Sequence, residues 1–98
     1  MINKKNNHYS IKLSEIELKD GTSSDRSITF EFDNHDNILD LIEQVKTKGL
    51  FESPEETTEF IVGLKLFSEV MLRNREHPLF EEFRPAFGEF MKKLKGKK

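Results

Sequence analysis

The side chains best placed to do chemistry are Asp33, His35 and Asp36, the tightest group of metal-capable residues in the chain. Two carboxylates and an imidazole within four positions could hold a hard cation or zinc. A stable site wants a fourth ligand at a recognisable spacing, and the zero cysteine count removes the thiolates that most often supply it. Asp33-Asn34-His35-Asp36-Asn37 is equally a run of helix-capping side chains, so the corner is read as structural and no metal or other cofactor is expected. His8 and His77 stand apart from any Cys, Ser or Asp arrangement in sequence, and His77 reads as the cap of a turn begun by Pro78. General acid–base work lacks an evident pair, no catalytic residue is assigned, and a non-enzymatic protein is expected.

Two further features carry weaker chemistry. Arg73, Arg75 and Arg84 bracket Pro78 and could form a small anion-binding patch, although Glu76, Glu81 and Glu82 are neighbours able to neutralise them. Gly63 and Gly88 fall inside helical patterns, where glycine costs about 1 kcal/mol relative to alanine. Close approach of another backbone is the expected reason for both, with a pocket or kink as the alternative. Neither belongs to a phosphate-cradling pattern such as GxGxxG or GxxxxGKS.

Composition narrows the partners. Net charge is −2, but Lys92, Lys93, Lys95, Lys97 and Lys98 lie in the last seven residues, which leaves −7 on residues 1–91. An acidic body with a basic tail is a poor match to a nucleic-acid backbone, where a clustered basic face is wanted. The tail is read as completing a helix end in solvent. Charged residues make up 35% of the chain and mean hydropathy is −0.66. No apolar run approaches the ~20 residues of a membrane span, and Met1 to Asn7 lacks the apolar region of a signal peptide. A cytoplasmic protein without membrane insertion is therefore expected.

The elements that must position these residues follow from periodicity. Residues 8–19 alternate apolar and polar like a half-buried strand, with Tyr9, Ile11 and Leu13 on one face. Ile16 and Leu18 are out of phase with them, and a β-bulge near Ser14–Glu15 would restore a common face. Asp20 to Asp25 is turn chemistry, and Ser27 to Phe32 reads as a second strand with Ile28, Phe30 and Phe32 inward. The pair is expected to form an antiparallel hairpin.

The rest reads as helix. Ile38, Leu41, Ile42 and Val45 form one stripe over about Asp36–Lys48, closed by Gly49. Ser53-Pro54-Glu55-Glu56 is a strong start, with Ser53 capping, Pro54 at the first position and Glu56 able to bond back. The helix it opens should run to about Asn74, with Phe60, Gly63, Leu64, Phe67, Val70 and Met71 as its apolar arc. Ile61 and Leu72 would lie on one flank, Leu66 on the other, and Lys65, Glu69 and Arg73 towards solvent. Pro78 opens a short turn, and Pro85 reopens the chain into a last helix with Phe87, Phe90, Met91 and Leu94 as its stripe and Glu89–Lys93 as an i, i+4 pair. Seven of the nine phenylalanines lie at or beyond Phe51, so the aromatic core belongs to this half.

The words Gly63 to Leu72, Pro78-Leu79-Phe80, Arg84-Pro85-Ala86 and Glu89 to Lys95 resemble a family of small bacterial proteins known as domain of unknown function 3861. The resemblance spans essentially the whole chain. It implies a bacterial protein and brings no activity, cofactor or functional residue with it.

Together these readings predict an α+β fold: an N-terminal antiparallel β-hairpin, then three main α-helices with a short proline-started turn before the last. Residues 1–98 are expected to form a single domain, with 1–7 disordered and 96–98 a basic tail. A protein-interaction or accessory module is the leading function. A small-molecule or lipid-binding module using a Phe-lined groove, and an enzyme whose polar residues converge only in three dimensions, are the alternatives. The central helix has more apolar surface than one neighbour can cover, and a lone hairpin has two open edges, so a homodimer is expected.

Overall fold

A computed structural model describes residues 6–96. It is α+β, as the pattern predicts: a hairpin of β1 (Asn7–Ser14) and β2 (Ser27–Asn34), then α1 (Ile38–Lys48), α2 (Pro54–Arg73), the single turn α3 (Pro78–Glu81) and α4 (Phe83–Leu94). The chain divides into two compact units between Ile61 and Val62, and α2 passes through that boundary. Of the segments expected to be disordered or a basic tail, residues 1–5 and 97–98 lie outside the described residues, while Asn7 already begins β1.

In the first unit the strands pair antiparallel with Tyr9 opposite Phe32, Ile11 opposite Phe30 and Leu13 opposite Ile28. Matching the two apolar sets fixes this register, because a one-residue slip would turn one set to the other face. The expected bulge does not form. The Glu15 amide donates to the Arg26 carbonyl at 2.9 Å, one more rung in unchanged register. The phase slip is resolved by ending the strand, which leaves Ile16 81% exposed. The tip is held locally: Gly21 takes φ 90°, and the Asp20 carboxylate accepts from the Thr22 amide and hydroxyl at 3.0 and 2.7 Å.

β2 passes into α1 through a bonded corner. Buried Asn34 accepts the Asp36 amide on Oδ1 at 2.9 Å, and Asn37 caps α1 by accepting from the Asp40 amide at 3.0 Å. Ile38, Ile42 and Val45 are buried and Gly49 closes the helix at φ 66°, as the stripe and the glycine predict. Ser53 caps α2 by accepting from the Glu56 amide at 3.3 Å. The carboxylate it engages is Glu55, to which its hydroxyl donates at 3.0 Å, in place of Glu56.

The buried face of α2 differs from the one expected. Ile61, placed on a flank, is 1% exposed, and Thr57 and Met71 are buried with it. These three, with half-buried Leu64 and Ser68, recur at +4, +7, +11 and +14 and centre the face about 80° from the expected arc. Phe67, at the middle of the expected arc, and Val70, also within it, are about two-fifths exposed. A helix apolar over so much of its girth does not encode which third is covered most, and Thr57 contributes a buried methyl that a hydropathy count ignores. Lys65 and Glu69, assigned to solvent, are half-exposed.

The second unit is aromatic. His77 caps α3 by accepting the Leu79 amide on Nδ1 at 3.0 Å, as its position before Pro78 predicts. α4 starts at Phe83, two residues before Pro85, which sits in its first turn. Phe67 meets Phe80, Phe83 and Phe87 edge-on at 5.9, 5.9 and 6.1 Å between ring centres. Phe80 is buried, whereas no residue of α4 is fully so: Phe87, Met91 and Leu94 are half-buried and Phe90 is exposed. The surface ion pair of α4 is Glu89–Lys92 at 3.7 Å, one position short of the expected Glu89–Lys93.

The expected backbone approach at the helical glycines is absent. A methyl group at Gly63 or Gly88 would meet nothing within 4 Å, so both have open space beside them.

Candidate functional site

The hairpin carries the most unusual surfaces of the first unit, one on each side. On the inner side the rungs run from Asn7 and Asn34 at the base, through Tyr9–Phe32 and Ile11–Phe30, to Leu13–Ile28 near the tip. The base is anchored. The Tyr9 hydroxyl accepts the Ile38 amide and donates to the Asp36 carbonyl, each at 2.9 Å, and the Asn7 side-chain amide donates to that same carbonyl at 3.0 Å. One phenol thereby satisfies an orphan amide at the start of α1 and ties β1 to the corner. The Tyr9 and Phe32 rings lie 5.4 Å apart and both residues are half-buried.

Cover is lost towards the tip. Phe30 is 42% exposed, Ile28 58% and Leu13 67%. The expected inward placement therefore holds for Phe32 and fails for Ile28 and Phe30. Arg26 and Glu15 close the row, the guanidinium donating through Nε at 3.1 Å and Nη2 at 2.7 Å to the two carboxylate oxygens. That forked bond from Arg26 holds the Glu15 carboxyl below its ordinary range. Leu13, Glu15, Arg26, Ser27 and Ile28 line a depression of about 250 Å³ that is open to solvent. No phenylalanine lines it, so it is not the Phe-lined groove of the small-molecule reading.

On the outer side His8 lies opposite Asp33, with Glu31 one same-face position along β2. Its Nδ1 is 2.5 Å from Asp33 Oδ1 and its Nε2 is 2.7 Å from Glu31 Oε1. Hydrogen bonding to Asp33, then to Glu31, raises the imidazole above its ordinary value. Sequence reading passed over this trio because its members are 23 and 25 residues apart. The signal was available: once Tyr9–Phe32 and Ile11–Phe30 are paired by their apolar character, His8 must face Asp33.

The proposed polar corner is partly redistributed. Asp33 gives its carboxylate to His8, while His35 Nε2 lies 3.5 Å from Asp36 Oδ1. Among the described residues no group of three His, Asp or Glu side chains is arranged to hold a metal ion. The two nitrogens of His8 point to opposite sides of the ring and so cannot share one ion with both carboxylates. Arg73 ends α2, Arg75 lies in the turn after it and Arg84 in the first turn of α4, and all three are exposed. No helix among the described residues is long and apolar enough to cross a membrane.

With this geometry in view, the comparisons with known proteins place the chain. The family described as "Domain of Unknown Function with solved-structure structure (DUF3861)" matches residues 7–96. The chain belongs to that family. A crystal structure of a protein of unknown function from Pectobacterium atrosepticum SCRI1043 is similar, at 43% sequence identity and a TM-score of 0.80, over 94% of this chain and 99% of that one. No curated protein matches. Family membership thus agrees with the resemblance read from the C-terminal words and adds no activity to it.

Proposed function

We propose that this protein is a non-enzymatic interaction module, a single cytoplasmic domain that docks through the inner face of its hairpin, and that its first partner is a second copy of itself. The observation that carries this reading is the Leu13–Ile28 rung with Phe30 beside it, an apolar row left open to solvent at one end of an otherwise anchored sheet. An apolar row open to solvent in this way is the kind of surface that marks a docking site. A specific interface needs about 800 Å² from each partner, and exposed Leu13, Ile28 and Phe30 supply its dry centre.

A second copy suits the rim as well. Two-fold association brings one surface against itself, so the surface must complement itself. Each copy ends its apolar row with one acid, Glu15, and one base, Arg26, and can thus offer each charge to its opposite across the axis. Catalysis is disfavoured by the state of His8, whose two ring nitrogens both face carboxylates, leaving no free nitrogen to act as a base on substrate.

Light scattering at micromolar concentration tests the proposal. The expected mass is twice the 11.5 kDa of one chain, falling to one chain in Leu13→Lys, where a charge enters the exposed apolar row. A mass near one chain, unchanged on tenfold concentration, overturns the homodimer. A dimer indifferent to Leu13→Lys overturns the hairpin surface as its interface.

A further inference from the structure

The outer face of the same hairpin has a property that the docking surface does not need. A carboxylate oxygen accepts hydrogen bonds and donates none when ionised, and His8 has such an oxygen at hydrogen-bond distance on each ring nitrogen. Both nitrogens must then carry a proton. The arrangement is satisfied only by the imidazolium; a neutral ring can donate to Asp33 or to Glu31, never to both.

We propose that His8 is a proton-operated latch on the base of the hairpin: charged, it ties β1 to two positions on β2, and on losing a proton it lets one tie go and loosens the strand pairing behind the docking face. This rests on the hairpin reading above and supplies its regulation. The lever arm is short. His8 and Asp33 form the rung next to Tyr9–Phe32, and Tyr9 is the residue whose hydroxyl ties the sheet to the Asp36 carbonyl and the Ile38 amide. Loosening at His8 is therefore felt at the anchor of the inner apolar row.

The charges around the latch favour the same direction. Asp33 and Glu31 are the charged groups that face the ring from β2. On β1 the only other charged side chain of that face is Lys12, two same-face positions away and roughly 13 Å along the strand. At the corner, His35 and Asp36 engage each other. With the folded-state pKa raised above that of the unfolded chain, the contribution of the latch is fully present below about 6.5 and is lost as pH rises through the raised value. Mild acid tightens the hairpin, and alkaline conditions slacken it.

The test is a proton and carbon NMR titration of the histidine rings in the full chain, run on Leu13→Lys so that docking does not interfere. The His8 signals should titrate above 6.5, and the amide shifts of Tyr9, Ile11 and Phe32 should move with the same midpoint. In Glu31→Gln/Asp33→Asn the His8 midpoint should fall back towards 6.5 and the strand shifts should become flat across that range. His8→Lys, which keeps a cation in place, should leave the strand shifts flat while preserving the hairpin. A His8 midpoint at or below 6.5, a raised midpoint that survives loss of both acids, or strand shifts that ignore the titration would each overturn the latch. The mass measurement separates this from the parent reading: a latch that titrates in a chain that never dimerises overturns the dimer alone, and a dimer whose His8 titrates unperturbed overturns the latch alone.

Discussion

The two units of this chain are held by different physics. The first is organised by direction. Its aliphatic residues Ile38, Ile42, Val45 and Ile61 are buried, and the placement of its hairpin depends on aimed bonds from Tyr9, Asn7 and Asn34. The second is organised by contact between rings. Phe67 touches three other phenylalanines, yet among the unit's described side chains only Met71 and Phe80 are buried. Hydrogen bonds specify geometry with little area, whereas edge-on rings supply area and tolerate a range of tilts. A surface that has to be held in one orientation is built in the first unit, where aimed bonds anchor the hairpin.

That contrast predicts where truncation should cost most. Phe80→Ala empties a buried aromatic site and should cost about 3–5 kcal/mol in a urea melt. Phe67 makes more ring contacts but is two-fifths exposed, so Phe67→Ala should cost about half as much. If the two substitutions are equal, ring contact counts for as much as burial, and the second unit is tighter than its exposure suggests.

In the first unit the sharpest probe is Tyr9→Phe. It keeps the ring against Phe32 and removes one oxygen that both accepts and donates. The Ile38 amide and the Asp36 carbonyl each lose a partner in a half-buried place, at an expected total of about 1–3 kcal/mol. Comparison with Phe67→Ala tells whether direction or area dominates. A loss below about 0.5 kcal/mol would mean that water replaces the phenol freely, and that the hairpin is placed by its apolar rungs.

Much of this was legible beforehand, and the limits are physical. The Ile38–Ile42–Val45 stripe, the Gly49 end, the Ser53 cap and the His77 cap are local, decided within one or two turns of chain. The direction in which α2 faces is not local. With apolar residues over most of its circumference, its buried centre at Ile61 depends on packing that periodicity cannot rank. The latch was hidden for a related reason: His8, Glu31 and Asp33 meet through strand register, and register is a property of two segments at once. Exposure of Leu13 and Ile28 was likewise invisible, because alternation tells which residues share a face and never how far cover extends along it.

The smallest effect tests what the helical glycines are for. Close backbone approach would make Gly63 irreplaceable, but an added methyl group there meets nothing within 4 Å, and its helical φ is one that alanine adopts freely. Gly63 lies in the interior of α2, where glycine exposes backbone and loses more chain entropy on folding than alanine does. Gly63→Ala should therefore stabilise the protein by about 0.5–1 kcal/mol, a rise in urea midpoint with no change in slope. Unlike the truncations above, this change adds atoms, so its sign separates the two explanations. A loss of stability would mean that the space beside Gly63 is filled in solution, and a second copy seated there in place of the hairpin face would then account for it. Light scattering on Gly63→Ala settles which, since a partner displaced by one methyl group leaves a mass of one chain while the hairpin interface would leave the dimer intact.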